Sequence, residues 1–151
     1  MKISFTKEQY WNLIRAVYMA DWMANAICES DMKKDSKIKE IRDYVFSFAK
    51  EMGFEDYVEY DEEAGKYYST MDMDDEPATR KLIERYDEHS AWDEISSWLG
   101  ERDFHIKYSQ KELEKMTDEE RFTRRMECEI VWEVEFAKHG IERLKADESK
   151  N

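Results

Sequence analysis

Residues 5–28 read FTKEQYWNLIRAVYMADWMANAIC, and this stretch sets the architecture. Thr6 and Gln9 stand at the spacing of a capping box, in which the hydroxyl and the amide each satisfy an unpaired backbone N–H at a helix start. Phe5, just outside the cap, is placed to staple onto Tyr10. Between Gln9 and Glu29 only Arg15 and Asp21 are charged, so the helix is apolar over most of its circumference. A helix of that kind is a central one, around which others pack. The segment before it, Lys2 to Phe5, reads as a short strand.

One residue breaks the apolar pattern. On a helical wheel Tyr10, Ile14, Val17, Ala24 and Cys28 share a face, and Asp21 falls in its middle. A buried carboxylate must be hydrogen-bonded, ion-paired or protonated. The plain expectation is a polar pin bonded to a Tyr, Trp or Arg. The functional expectation is a carboxylate lining a cleft.

Working outward, a polar stretch from Glu29 to Asp35 leads to a second helix. Its inner face is Ile38, Ile41, Val45, Phe48 and Met52, and it ends in a Schellman turn at Gly53 and Phe54. Residues 57–70, YVEYDEEAGKYYST, set two Tyr-rich runs around Glu62–Gly65, the pattern of a hairpin turning on Gly65. After the loop MDMDDE at 71–76, Pro77 suits the first turn of a third helix with Leu82, Ile83 and Tyr86 inward. Ser90 reads as the cap of a fourth helix, with Trp92, Ile95 and Leu99 inward and Gly100 at its end. Trp98 stands to one side of that face, half exposed. Phe104, Ile106 and Tyr108 alternate with polar residues and predict a short strand. Ser109 with Glu112, stapled by Tyr108 and Leu113, and Thr117 with Glu120 are two further capping boxes. The long last helix then runs to Gly140, with Ile141 covering Phe136. The expected architecture is mainly α: a compact bundle of about five or six helices with a small acidic β-hairpin. It forms one domain over residues 1–144, with a disordered tail at 145–151.

Charge is concentrated rather than spread. The net charge is −13, yet residues 54–76 carry ten acids against a single base, Lys66. Such a field repels nucleic acid and attracts cations. No run approaches the roughly 20 apolar residues of a membrane span. The opening MKISFTKEQY lacks the basic-then-apolar pattern of a signal peptide, which predicts a cytoplasmic protein. Cys28 and Cys128 sit within helical patterns without CxxC or zinc-ligand spacing, so neither a disulfide framework nor a zinc site is expected.

Motifs that carry chemistry are missing from the sequence. An EF-hand loop opening at Asp72 would need Gly and Glu where Pro77 and Ile83 stand. His89, His105 and His139 are dispersed, without a nucleophile motif beside them. Glu129 and Glu133 lie one turn apart on the last helix, where like charges repel unless a cation intervenes, and Arg125 is the expected partner of Glu129. The sharper alternative brings Asp21, Glu129 and Glu133 together in an enzyme or a ligand- or metal-binding site. The Glu-x-x-His pair of carboxylate-bridged bundles is missing, however, and no metal or cofactor is implied.

Several short runs form a set: Tyr86-Asp87-Glu88, Trp92-Asp93-Glu94, Leu99, Glu101-Arg102-Asp103, the opening MKISFTKEQY, Ala20-Asp21-Trp22 and the ending HGIERL at 139–144. With these the chain resembles a group of small uncharacterised bacterial proteins over most of its length. The resemblance implies a bacterial-type origin and no particular activity. The leading functional expectation is therefore a non-enzymatic interaction protein. It would grip a basic protein partner through Asp61, Glu62, Glu63, Asp72, Asp74, Asp75 and Glu76, all exposed, in the manner of an immunity protein or a DNA mimic.

Overall fold

The computed structural model describes residues 3–25 and 35–145. Helix dominates, as expected: α1 (Lys7–Asn25), α2 (Ser36–Phe46), β1 (Val58–Asp61), β2 (Lys66–Ser69), α3 (Met71–Asp74), α4 (Pro77–Lys107), α5 (Gln110–Leu113) and α6 (Asp118–His139). The two strands pair antiparallel into a small hairpin. The chain gathers into two compact units, Met1–Glu84 and Arg85–Asn151, and the boundary falls inside α4.

The first unit is organised around α1. The Thr6 amide donates to Gln9 Oε1 at 2.9 Å and the Gln9 amide donates to Thr6 Oγ1 at 3.2 Å, which completes the capping box. Tyr10, Ile14 and Val17 are buried against Val45, Phe46 and Ala49, with Val58 and Met73 closing the core from the hairpin side. Burial of side chains such as Ile14 and Phe46 stabilises by about 1.5–3 kcal/mol each. The Tyr10 hydroxyl donates to the Val45 carbonyl at 2.6 Å, and burial pushes its pKa up to about 12. Asp35 caps α2 by accepting from the Lys37 and Ile38 amides.

Beyond Phe46 the chain tightens into turns and closes as a Schellman motif. The Phe54 amide reaches the Ala49 carbonyl at 2.8 Å and the Gly53 amide reaches Lys50 at 3.2 Å, with Gly53 at φ +75°. Phe54 then stacks on Trp11 at 5.1 Å. The tightening changes the phase of the buried face. Beyond Phe46 it is Ala49 that points inward, whereas the expected core residue Phe48 is exposed; within the regular helix Val45 and Phe46 point inward and the expected Ile41 is exposed. Residues 3–6 form no strand, since among the described residues the one sheet is the β1–β2 hairpin and they do not join it; Lys2 lies outside the described residues, as does Cys28.

The second unit consists of the rest of α4, then α5 and α6. Its buried cluster is Phe104, Leu113 and Cys128, with Tyr108 and Met116 packed on it. The second and third capping boxes form as read: the Ser109 and Thr117 amides each donate to their glutamates, Glu112 and Glu120, at 2.8 Å. Three expectations fail together in α4, which runs unbroken through Ser90, Gly100 and the segment expected as a strand. Phe104 and Tyr108 face the cluster while Ile106 is exposed, so the inward spacing is four, a helical one. Gly100 is no terminus. A Cβ there would lie 2.7 Å from the Glu129 Cα, so the glycine lets the two helix backbones meet. Leu82 and Tyr86 are exposed rather than inward, and so is Ile141 beyond Gly140. Trp98 is more exposed than expected, at 67%.

Candidate acidic interface

The lobe is built from the hairpin upward. Pairing sets Tyr60 opposite Tyr67 and Val58 opposite Ser69 on one face, and Glu59 opposite Tyr68 and Asp61 opposite Lys66 on the other. On the first face Val58 is buried in the core, while Tyr60, its ring 4.7 Å from that of Tyr67, stays exposed. The second is exposed and acidic. Asp61 Oδ1 accepts from the amides of Glu63 and Ala64 at 2.9 Å, and this shapes the turn that Gly65 completes at φ +62°. At the open end of the hairpin, Thr70 Oγ1 donates to the Asp56 carbonyl at 2.6 Å. The single turn of α3 then plugs Met73 into the core at 0% exposure while leaving Met71 at 78%.

The seven predicted acids divide into two kinds. Asp61 shapes the turn, burial and then the charge of Asp74 raise the pKa of the Tyr18 hydroxyl, and Asp75 pairs with Arg80 at 3.4 Å. Glu76 departs furthest from expectation. It is largely buried and caps α4, accepting from the Thr79 amide at 2.7 Å, the Ala78 amide at 3.2 Å and the Thr79 hydroxyl at 2.6 Å. Arg15 Nε lies 3.3 Å from it and donates to Thr79 Oγ1 at 2.7 Å. Burial pushes the Glu76 carboxyl up, but the bonds from Thr79 and Ala78 and the charge of Arg15 outweigh it and leave it lowered. Glu62, Glu63 and Asp72 are exposed, and their carboxylates make no hydrogen bond or ion pair among the described residues; Glu59 is like them. Exposed Tyr60, Tyr68 and Met71 stand among these acids in the chain.

Asp21 is a pin. Its Oδ2 meets Arg42 Nη1 at 2.5 Å, and its Oδ1 accepts from Asn25 at 2.8 Å. Arg42 also binds Asp43, donates to the Tyr67 carbonyl at 3.2 Å and lies over the Phe46 ring. One guanidinium thus ties α1, α2 and β2 together. The sequence reading offered an Arg as partner without identifying Arg42, whose 21-residue separation from Asp21 leaves no local signal.

Glu129 and Glu133 belong to the other unit. Glu129 is half-buried with its backbone against Gly100, and Arg125 pairs instead with Glu101 at 3.5 Å. The geometric reason is that Glu101 faces Arg125 across the helix pair, while His105 holds its other oxygen at 2.9 Å. Glu133 is exposed on an open groove of about 550 Å³ shared with Glu88, His89, Trp92 and Asp93. Among the described residues no three His, Cys, Asp or Glu side chains form a group that could hold a metal. No described helix is long and apolar enough to cross a membrane.

Compared with known protein families, with curated proteins and with solved structures, the chain matches none.

Proposed function

We propose that the chain is a non-enzymatic interaction protein of the bacterial cytoplasm, and that residues 54–76 engage a positively charged surface of a partner protein. The observation that carries this reading is the set of acids without intramolecular work, Glu59, Glu62 and Glu63 on a hairpin that also exposes Tyr60 and Tyr68, and Asp72 on the α3 turn that follows it. A hairpin of two four-residue strands needs no such acids to fold, and their mutual repulsion works slightly against it. Tyr combines a rigid apolar ring with a hydroxyl and is enriched in contact surfaces. Acid and aromatic together suit a basic target, of the kind an immunity protein or a DNA mimic would hold.

The test separates working acids from idle ones. Glu62→Gln, Glu63→Gln and Asp72→Asn are combined, leaving Asp61 and Glu76 intact. The triple variant keeps the wild-type melting temperature or exceeds it slightly, while captured basic proteins fall away in pull-downs from a bacterial lysate. Wild-type capture fades as salt approaches about 0.3 M, where screening acts over roughly 5 Å. Recovery of the same proteins by the variant at the same salt would reduce the lobe to a solubilising surface.

A further inference from the structure

The outward face of α6 carries an aliphatic strip that its own unit does not bury, bounded by Glu127, which pairs at the surface with Arg124 at 3.1 Å, and by Lys138. Glu127, Val131, Val134 and Lys138 follow one another at alternating spacings of four and three, the seam of a coiled coil. All four are exposed, Val131 at 63% and Val134 at 61%. Ile130 and Ala137, seven residues apart and also exposed, flank the seam on one side. The unit's own core is served by a different face of the helix, where Cys128 and Phe136 are buried. A contiguous exposed aliphatic strip with charges at its two ends is a contact surface in search of its counterpart.

The charges say what that counterpart is. In an antiparallel pair of seams, Val131 of one helix meets Val134 of the other, and Glu127 meets Lys138 at both ends. A parallel pair would set Glu127 on Glu127 and Lys138 on Lys138, so the charges disfavour it. The strip is complementary to itself under a two-fold axis, the commonest symmetry of protein pairs. We infer that the chain associates with a second copy of itself, through antiparallel packing of α6 on α6 centred between Val131 and Val134. No residue of the acidic lobe belongs to this helix, so the pairing is independent of the function proposed above.

Sedimentation equilibrium on the full chain across the micromolar range tests this. The average mass should rise with concentration from 18.4 kDa toward twice that value. Val131→Asp with Val134→Asp should hold the chain monomeric, its helical circular dichroism unchanged. Glu127→Lys alone, or Lys138→Glu alone, should weaken association about tenfold by turning two attractions into repulsions. The double swap, Glu127→Lys with Lys138→Glu, should restore it to within about twofold of wild type. Restoration cannot follow from misfolding, which makes it the decisive arm. A wild-type mass fixed at 18.4 kDa throughout the range overturns the inference. So does a double swap that stays as weak as the single ones.

Discussion

The two units solve the same problem, holding helices together, with different materials. The first, among the described residues, buries a cluster of eight hydrophobic side chains from α1, α2, the turns after α2, β1 and α3, and adds two arginine-centred networks, Arg42 with Asp21 and Asp43, and Arg15 with Glu76 and Thr79. The second relies on a smaller cluster around Phe104, Leu113 and Cys128 and on close approach of backbones at Gly100. Its polar bonds, such as Trp132 Nε1 to Asp103 at 2.8 Å, lie nearer the surface. Half-buried ion pairs hold elements that are distant in sequence; glycine contact holds two long helices that need only lie side by side. An acidic chain can therefore spend some carboxylates inside one unit and still display others.

Removing Arg42 strikes hardest at this division. Arg42→Ala leaves Asp21 and Asp43, both mostly buried, without their cation, and should cost about 3 kcal/mol in denaturant melts. The loss should appear in hydrogen exchange of α1, α2 and β2 before any change in α6. A cost under about 1 kcal/mol would mean that the network is ornamental and the apolar core suffices.

Gly100→Ala sharpens the other side. In an ordinary helix interior this change stabilises by roughly 0.5–1 kcal/mol. Here the added methyl would sit within 3 Å of the Glu129 backbone, which cannot rotate away, so the sign reverses. A destabilisation of about 2 kcal/mol is expected from overpacking. A rise in melting temperature would show that α4 and α6 do not meet at this point.

The smallest effect belongs to Glu76→Gln, expected to cost about 1 kcal/mol at pH 7 through weaker capping and a lost charge pairing with Arg15. Because the carboxylate is held below its ordinary value of 4.5, its contribution is complete above that pH. It disappears as pH falls through the lowered folded value. The stability gap between wild type and variant should therefore close in acid. A gap that persists once acid has protonated the carboxyl in the folded state assigns the cost to shape rather than charge.

These residues also mark where the sequence was readable. Capping boxes at Thr6, Ser109 and Thr117, the hairpin on Gly65 and the Schellman turn at Gly53 depend on neighbours within a few positions, and all are found. Gly100 was misread because a glycine that ends a helix and one that admits another backbone look alike until the second helix is in place. Phe48 was placed inward because the chain tightens after Phe46, and no local residue announces it. Asp21 was legible as a polar pin, since an acid among apolar neighbours needs a partner. Glu76 was not legible as a cap. Counting charge in 71–76 gives every acid the same weight, and only the distance to Thr79 and Arg15 separates the working carboxylate from the idle ones.

Met71 and Met73 give the lobe an oxidative asymmetry. The two thioethers are two residues apart, yet one faces solvent and the other is sealed in the core. Mild peroxide converts an accessible methionine to its sulfoxide, trading a soft apolar tip for a polar, chiral one. Met71 would take that change first, altering the surface beside Asp72 while the plug that anchors α3 stays intact. Reductases that reverse sulfoxides would then restore the surface without the lobe ever having unfolded.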